Sequence, residues 1–147
     1  MNIQTKFHGE INIATEDIIT FPKGLLGFES KTKFVLLNLD ETGASVFKVL
    51  QSVETPGVSF IVTNPFHFNA GYQFDLNKEL VEQLNVQTEQ DLTILSIVTI
   101  RNNADMTTNL LGPIILHVKN KIGYQIVLEG KTYTTTYPIK VEGDSAC

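Results

Sequence analysis

Short apolar runs separated by turn-forming residues make up most of this chain. Many runs alternate apolar and polar residues with a period of two, which places alternate side chains on one face of a β-strand. Ile3, Thr5 and Phe7, for example, share one parity and one predicted face. Predicted strands lie at 33–39, 45–51, 58–63, 92–100, 113–119 and 123–128. The pattern predicts a mostly β protein.

Two runs, at 34–37 and 92–100, are nearly continuous in apolar or β-branched residues. Strands of this composition are covered on both faces, so both runs are predicted to be central strands. Between them, Leu76, Leu80 and Leu84 recur every four residues, which predicts a short amphipathic helix over 75–84 capped by Asp75 or Asn77. The pair Thr88 and Asp91 resembles a capping box and predicts a second short helical turn.

The chain has 147 residues, of which 42% are hydrophobic and 18% charged, which suits one folded domain. We predict a small antiparallel β-barrel-like domain over 1–141, with one or two short helices, and a frayed tail over 142–147 where apolar character ends. The chain contains neither a bilayer-length apolar stretch nor a secretory leader, so we expect a cytoplasmic protein that is not membrane-bound.

Residue patterns typical of catalysis, metals or cofactors are missing from the sequence. The three histidines are far apart, the only cysteine is Cys147, and there is no GxSxG, P-loop or dinucleotide motif. Gly24 and Gly27 are better explained as turn residues with positive φ. We therefore predict no catalytic residue, cofactor or metal, and hence no enzyme.

The charged residues are unevenly distributed along the chain. The formal net charge is −5, and the basic residues are scattered, which disfavours direct nucleic-acid binding. The stretch 75–91 has Lys78 as its single base and carries five acids: Asp75, Glu79, Glu82, Glu89 and Asp91. This stretch is either an ordinary solvated helix face or an acidic surface that attracts a basic protein.

Three segments together resemble a known family. FPKGLLGFE (21–29), FKVLQSVETPGVSFIVTNP (47–65) and NLLGPIILHVKNKIGYQIVL (109–128) are similar, in order and spacing, to the bacterial flagellar assembly factor family, FliW. The third segment places the family's asparagine, proline and Gly-x-Gln elements at Asn109, Pro113, Gly123 and Gln125. The resemblance runs from about residue 3 to residue 137.

This resemblance implies a small β-barrel-like fold and a regulator that works by binding proteins. Members hold flagellin before its secretion, and they bind CsrA, a small basic dimer that represses translation by covering messenger RNA. The two interactions are linked, so that the amount of flagellin adjusts flagellin synthesis. For this chain, the implied partners are flagellin and CsrA.

Candidate contact residues follow from these ideas. The five acids of 75–91 are predicted to face CsrA, and the apolar loop residues Leu25, Leu26, Phe28, Leu110, Leu111 and Pro113 are predicted to be exposed for flagellin. The same loops are alternatively turns that close the barrel. A different function also fits the sequence, a barrel that holds a small apolar ligand; against it, Phe34, Phe47, Phe60 and Phe74 are expected to fill the centre.

Overall fold

The computed structural model describes residues 1–40, 45–101, 105–130 and 132–140. The predicted frayed tail at 142–147 lies outside them. Within the described residues the fold is mostly β, as predicted, and none of its helices is long and apolar enough to cross a bilayer. The strands are β1 Asn2–Thr5, β2 Gly9–Asn12, β3 Ile19–Thr20, β4 Lys33–Asn38, β5 Phe47–Ser52, β6 Ser59–Thr63, β7 Leu92–Arg101, β8 Asp105–Thr108, β9 Ile114–His117, β10 Ile122–Gln125 and β11 Tyr137–Ile139. Helix α1 is Lys78–Leu84, and 3₁₀ turns occupy Thr15–Asp17, Pro65–His67 and Glu89–Asp91.

The main sheet closes into a ring. Its strand order is β11-β8-β7-β6-β5-β4-β3-β10-β9, and β9 pairs again with β7, which closes β7-β6-β5-β4-β3-β10-β9 into a barrel. The ladders are antiparallel except for β3 and β10, which run parallel and meet at Thr20 and Ile122. Strands β8 and β11 extend the sheet outward, and β1 and β2 form a separate hairpin.

Apolar side chains fill the barrel. The interior cluster comprises Ile19, Phe21, Leu25, Phe34, Leu50, Val62, Leu95, Ile114 and Leu116. The rings of Phe21 and Phe34 meet edge to face with centroids 5.4 Å apart. Burial of each such side chain contributes about 1.5–3 kcal/mol to folding. These side chains occupy the space that the small-ligand alternative requires.

The run at 34–37 is a central strand, as predicted. Phe34 lies in the barrel interior, while Val35 points to the other face and is buried beneath Ile3 and Ile13 of the N-terminal segment. The β1–β2 hairpin thus covers the outer face of β4. One face of β4 packs in the barrel interior and the other packs under the N-terminal hairpin, so both faces are covered.

Four side chains lie elsewhere than the sequence predicts, and the expectation that Phe47 and Phe74 fill the centre of the barrel is wrong. Phe7 is exposed because β1 ends at Thr5. Ile100 is exposed because β7 leaves the ring after Val98 and continues beside β8, so the prediction of two covered faces is wrong for the end of β7. Phe47 lies on the opposite face of β5 from Leu50 and stacks on Phe68, and Phe74 packs outside the barrel against Tyr72.

The helix forms near its predicted position. The Asn77 side chain accepts a hydrogen bond from Leu80 N at 2.7 Å, which caps the first turn, and Asn85 ends the helix in the left-handed region at φ 55°. Leu80 and Leu84 are buried against Ile115 of β9. The second predicted turn is the 3₁₀ turn Glu89–Asp91. Strand β8 was not predicted, since Asp105–Thr108 is short and polar.

Gly123 of β10 is required by packing. A Cβ built on it would lie 2.6 Å from Leu116 Cδ2 and 2.7 Å from Phe21 Cε2, inside the filled barrel. We expect Gly123→Ala to lower the free energy of unfolding by about 1–3 kcal/mol because overpacking forces the core to shift. Chemical denaturation measures this change. Gly57→Ala, where a Cβ meets nothing within 4 Å, is the matched control; equal stability of the two variants would contradict the packing argument.

Candidate protein-interaction surface

The barrel wall has a gap between β6 and β7. Strand β6 pairs with residues 96–98 of β7 and then ends at Thr63. Pro65 begins a 3₁₀ turn there, and proline has no N–H with which to extend the ladder. On its other edge, β7 pairs with β9 through residues 92–95. Among the described residues, this first half of β7 therefore has a strand on one side only.

A groove of about 710 Å³ opens at this gap. Its β7 wall is formed by Leu92, Thr93 and Ile94, and another wall by Val81 of α1 and Val86, which follows the helix. The remaining apolar surface comes from Phe66, Tyr72, Phe74 and Leu76. The half-exposed apolar residues at the start of β7 are explained by this groove. An apolar concave surface of this size is typical of a binding site.

The aromatic end of the groove is tightly packed. The Tyr72 ring lies 4.7 Å from that of Tyr133, 5.4 Å from that of Phe74 and 5.6 Å from that of Phe66, between centroids. The Tyr72 hydroxyl donates to Leu110 O at 2.7 Å. Burial, with a smaller contribution from Tyr133, raises the pKa of Tyr72 above its ordinary value of 10.0. Tyr72 is therefore a neutral hydrogen-bond donor in a fixed wall.

Four of the five predicted acidic residues are exposed, and two of them line this groove. Asp75 and Glu89 line the groove itself, and Glu79 and Glu82 are exposed on α1. Asp75 and Glu89 are the only charged side chains that line the groove in the described part of the chain. The groove thus combines an apolar floor with an acidic rim.

The fifth acid, Asp91, is partly exposed and has a structural role. Its Oδ2 accepts hydrogen bonds from Gln87 N at 2.8 Å and Thr88 N at 3.0 Å. The same oxygen lies 3.8 Å from His117 Nε2, and His117 Nδ1 accepts from Asn120 N. The backbone donors of Thr88 and then Gln87 hold the pKa of Asp91 below its ordinary 3.8. Asp91 therefore holds the turn that carries Glu89.

The apolar loop candidates divide into two groups. Leu25 and Leu110 are each 1% exposed and Pro113 is buried, so the expectation that these three are exposed is wrong. Leu25 packs in the barrel interior and Leu110 packs with Tyr72 and Leu128. Leu26 is 53% exposed, Phe28 is 39% exposed with its ring against Phe60, and Leu111 is half-buried. A docking role remains a prediction for Leu26, Phe28 and Leu111.

Gln125 ties the two signature loops together. Its Oε1 accepts from Leu26 N at 2.9 Å, and its Nε2 donates to Gly112 O at 2.9 Å. Asn109 Oδ1 accepts from Leu111 N and Gly112 N, which shapes the second loop. Gly24 and Gly27 adopt φ of 64° and 85°, as the turn interpretation predicts. The motif residues at Asn109 and Gln125 thus position the loops, a role that spacing alone did not reveal.

The tie through Gln125 is testable. We expect Gln125→Ala to lower the free energy of unfolding by about 1 kcal/mol and to speed hydrogen exchange at the Leu26 amide, because that amide loses its acceptor. Gln125→Glu retains an acceptor for Leu26 and loses only the donor to Gly112, so its Leu26 amide should still exchange slowly. NMR-detected exchange distinguishes the two variants. Unchanged exchange in Gln125→Ala would show that the loop is held by other contacts.

The Asp91 cap predicts a pH dependence. Because its pKa is lowered in the folded chain, the cap stabilises the turn above the ordinary pKa of 3.8 and is lost as pH falls through the lower folded value. The carboxyl carbon of Asp91 should titrate with a midpoint below 3.8 in NMR. Asp91→Ala should speed exchange at the Gln87 and Thr88 amides, which lose their acceptor, whereas Glu89→Ala should not. A midpoint above 3.8 would refute the cap.

Comparisons with known proteins agree on one family. The family model described as FliW protein matches residues 2–139. The chain is 41% identical over 148 residues to the flagellar assembly factor FliW of Bacillus subtilis (strain 168), covering all of both chains. It is 36% identical over 140 residues to that of Clostridium botulinum (strain Langeland / NCTC 10281 / Type F), covering 95% of this chain and 96% of the relative. A crystal structure of the flagellar assembly factor FliW superposes with a TM-score of 0.87 at 37% identity, covering 96% of this chain and all of the other. The chain belongs to the FliW family.

Proposed function

We propose that this protein is a cytoplasmic flagellar assembly factor that works by binding two other proteins and catalyses no reaction. One partner is flagellin, which it holds before secretion, and the other is the translational repressor CsrA, which it causes to release flagellin messenger RNA. Relatives named as flagellar assembly factors support the general role. The observation that carries the molecular proposal is an apolar groove rimmed by Asp75 and Glu89 beside the exposed acids of α1.

An acidic surface suits a basic RNA-binding partner. Opposite charges steer association and raise its rate, more so at low ionic strength. Glu79 and Glu82 lie three residues apart on α1, and both are exposed. A partner that presents clustered basic side chains would meet this negative potential before it makes close contact. We therefore assign the acids of α1 to CsrA.

The same charges explain how binding would release RNA. Docked beside the RNA-binding surface of CsrA, they lower the positive potential there, and phosphates within about 8 Å, one Debye length at physiological salt, are repelled. Because nucleic-acid affinity depends steeply on the number of neutralised phosphates, loss of a few effective contacts weakens RNA binding by orders of magnitude. This mechanism does not require the two proteins to compete for the same atoms of CsrA.

Flagellin requires an apolar surface. The terminal segments of flagellin, as the family resemblance implies, are held before secretion, and amphipathic segments bind apolar grooves or sheet edges. The exposed Leu26 and Phe28 lie on one loop and the half-buried Leu111 on another, and Gln125 connects the two loops. We propose that these three side chains form one apolar surface. We assign flagellin contact to this surface, where the tie through Gln125 keeps the loops preorganised.

Charge reversal on α1 tests the CsrA interaction. We expect Glu79→Lys with Glu82→Lys to weaken binding to purified CsrA about tenfold at low salt and about twofold at physiological salt. The effect is smaller at physiological salt because ions screen the attraction between the two proteins. Titration calorimetry at two salt concentrations measures both values. Glu16→Lys with Glu54→Lys makes the same change in net charge at exposed positions far from 75–91 in sequence and should have a smaller effect.

Three results would contradict the proposal. Purified flagellin and CsrA both failing to bind the wild-type chain would refute the function itself. Equal weakening by the α1 pair and the control pair would refute the assignment of CsrA to α1. Formation of a stable complex of this chain, CsrA and RNA, with RNA affinity unchanged, would refute the electrostatic mechanism.

A further inference from the structure

Main-chain groups at the start of β7 face the gap. Ile97 O accepts from Asn109 N at 2.9 Å and Asp91 O accepts from Val118 N at 3.4 Å, so odd-numbered residues direct their peptide groups toward β8 and β9. The direction of the N–H and C=O groups alternates along a strand, so those of Leu92 and Ile94 point toward the β6 side of β7. Strand β6 does not extend that far, because it pairs only with residues 96–98. Leu92 N donates to Glu89 O. Within the described residues, Ile94 N, Ile94 O and Leu92 O have no hydrogen-bond partner.

A second segment of the groove lining also has unused main-chain groups. Residues 74–76 line the groove and make no main-chain hydrogen bond with any described residue. Backbone donors and acceptors at an open sheet edge are a template for another strand. Apolar side chains from β7, α1 and the aromatic cluster lie around them and can receive alternate side chains of such a strand.

We propose that the gap binds an extended segment of a partner protein as an added β-strand beside residues 92–94. The inference rests on the proposed function, because it needs a protein partner. The acidic rim specifies that the segment carries basic side chains flanking its apolar residues, since Asp75 and Glu89 are the charged groups that line the groove among the described residues. A helix in the same place would cover the apolar floor and leave the Ile94 N–H and C=O unsatisfied, because helical backbone groups bond within the helix.

A synthetic peptide tests the added strand. The probe is a short peptide in which valine and threonine alternate between two terminal lysines, titrated into the full-length, isotope-labelled chain. We expect amide shifts confined to 92–94 and 74–76, with slowed hydrogen exchange at the Ile94 amide. Exchange of the lysines for glutamates, or N-methylation of the peptide backbone, should abolish binding. An alanine-rich helical peptide with the same lysines should bind weakly or not at all.

Variants of the chain test the rim. Asp75→Lys with Glu89→Lys should weaken peptide binding by about three- to tenfold at low salt, because the groove loses the negative charges that attract the peptide's lysines. Glu16→Lys with Glu54→Lys is the matched control and should bind as the wild type does. Absence of any shift with the lysine peptide, shifts outside the groove, or equal binding of the N-methylated or helical peptide would overturn the inference.

The same exchange measurement on the complexes separates this inference from the proposed function. With flagellin or CsrA bound, slowed exchange at the Ile94 amide would support the added strand. Binding of either partner with unchanged exchange at 92–94 would overturn it and leave the proposed function intact. If neither partner binds, the proposed function fails, and the peptide titration alone decides the inference.

Discussion

The pairing of β7 with three other strands is the constraint on which the rest of the structure depends. Its ten residues are shared among β9, β6 and β8, and the pairing with β9 closes the ring. Because β6 reaches only residues 96–98, closure leaves one edge of β7 open. The gap, the groove and the peptide groups of Ile94, which are unpaired among the described residues, are therefore consequences of how the barrel closes. Lengthening β6 would remove them, and Pro65 prevents that extension.

The two loops of the family signature depend on the same ring. Leu25 lies in the interior of the ring. At position 123 a side chain would collide with Leu116 and Phe21, so this position requires glycine. With these positions fixed, Gln125 at the end of β10 reaches both Leu26 N and Gly112 O. The exposure of Leu26 and Phe28 thus follows from their buried neighbours. Leu25 packs inside the barrel, and the next residue, Leu26, is exposed as a result. The buried core and the exposed surface thus use adjacent residues of one turn.

Alternation and periodicity predicted the elements that satisfy local rules. The interior strands, α1 and the Glu89–Asp91 turn follow from residue patterns within a few positions, and the structure selects Asn77 over Asp75 as the cap of α1. Strand β8 could not be predicted, since Asp105–Thr108 is held by its neighbours β7 and β11 and has no apolar pattern of its own. The same limit applies to the site: burial of Leu110 depends on Tyr72, 38 residues away, and the gap depends on where β6 stops beside β7. Both are properties of strand pairing, which one-dimensional patterns do not contain.

The acidic surface is stable only because the barrel supports it. A helix of seven residues is marginal alone, since too few hydrogen bonds follow its costly nucleation. Leu80 and Leu84 attach α1 to Ile115 of β9, the strand that closes the ring. The Asp91 carboxylate likewise holds its turn in place. It accepts hydrogen bonds from the backbone of Gln87 and Thr88 and lies 3.8 Å from His117 Nε2 in β9. Strand β9 therefore fixes the positions of α1, which carries Glu79 and Glu82, and of the turn that carries Glu89, so the placement of these three acids depends on the strand that closes the ring.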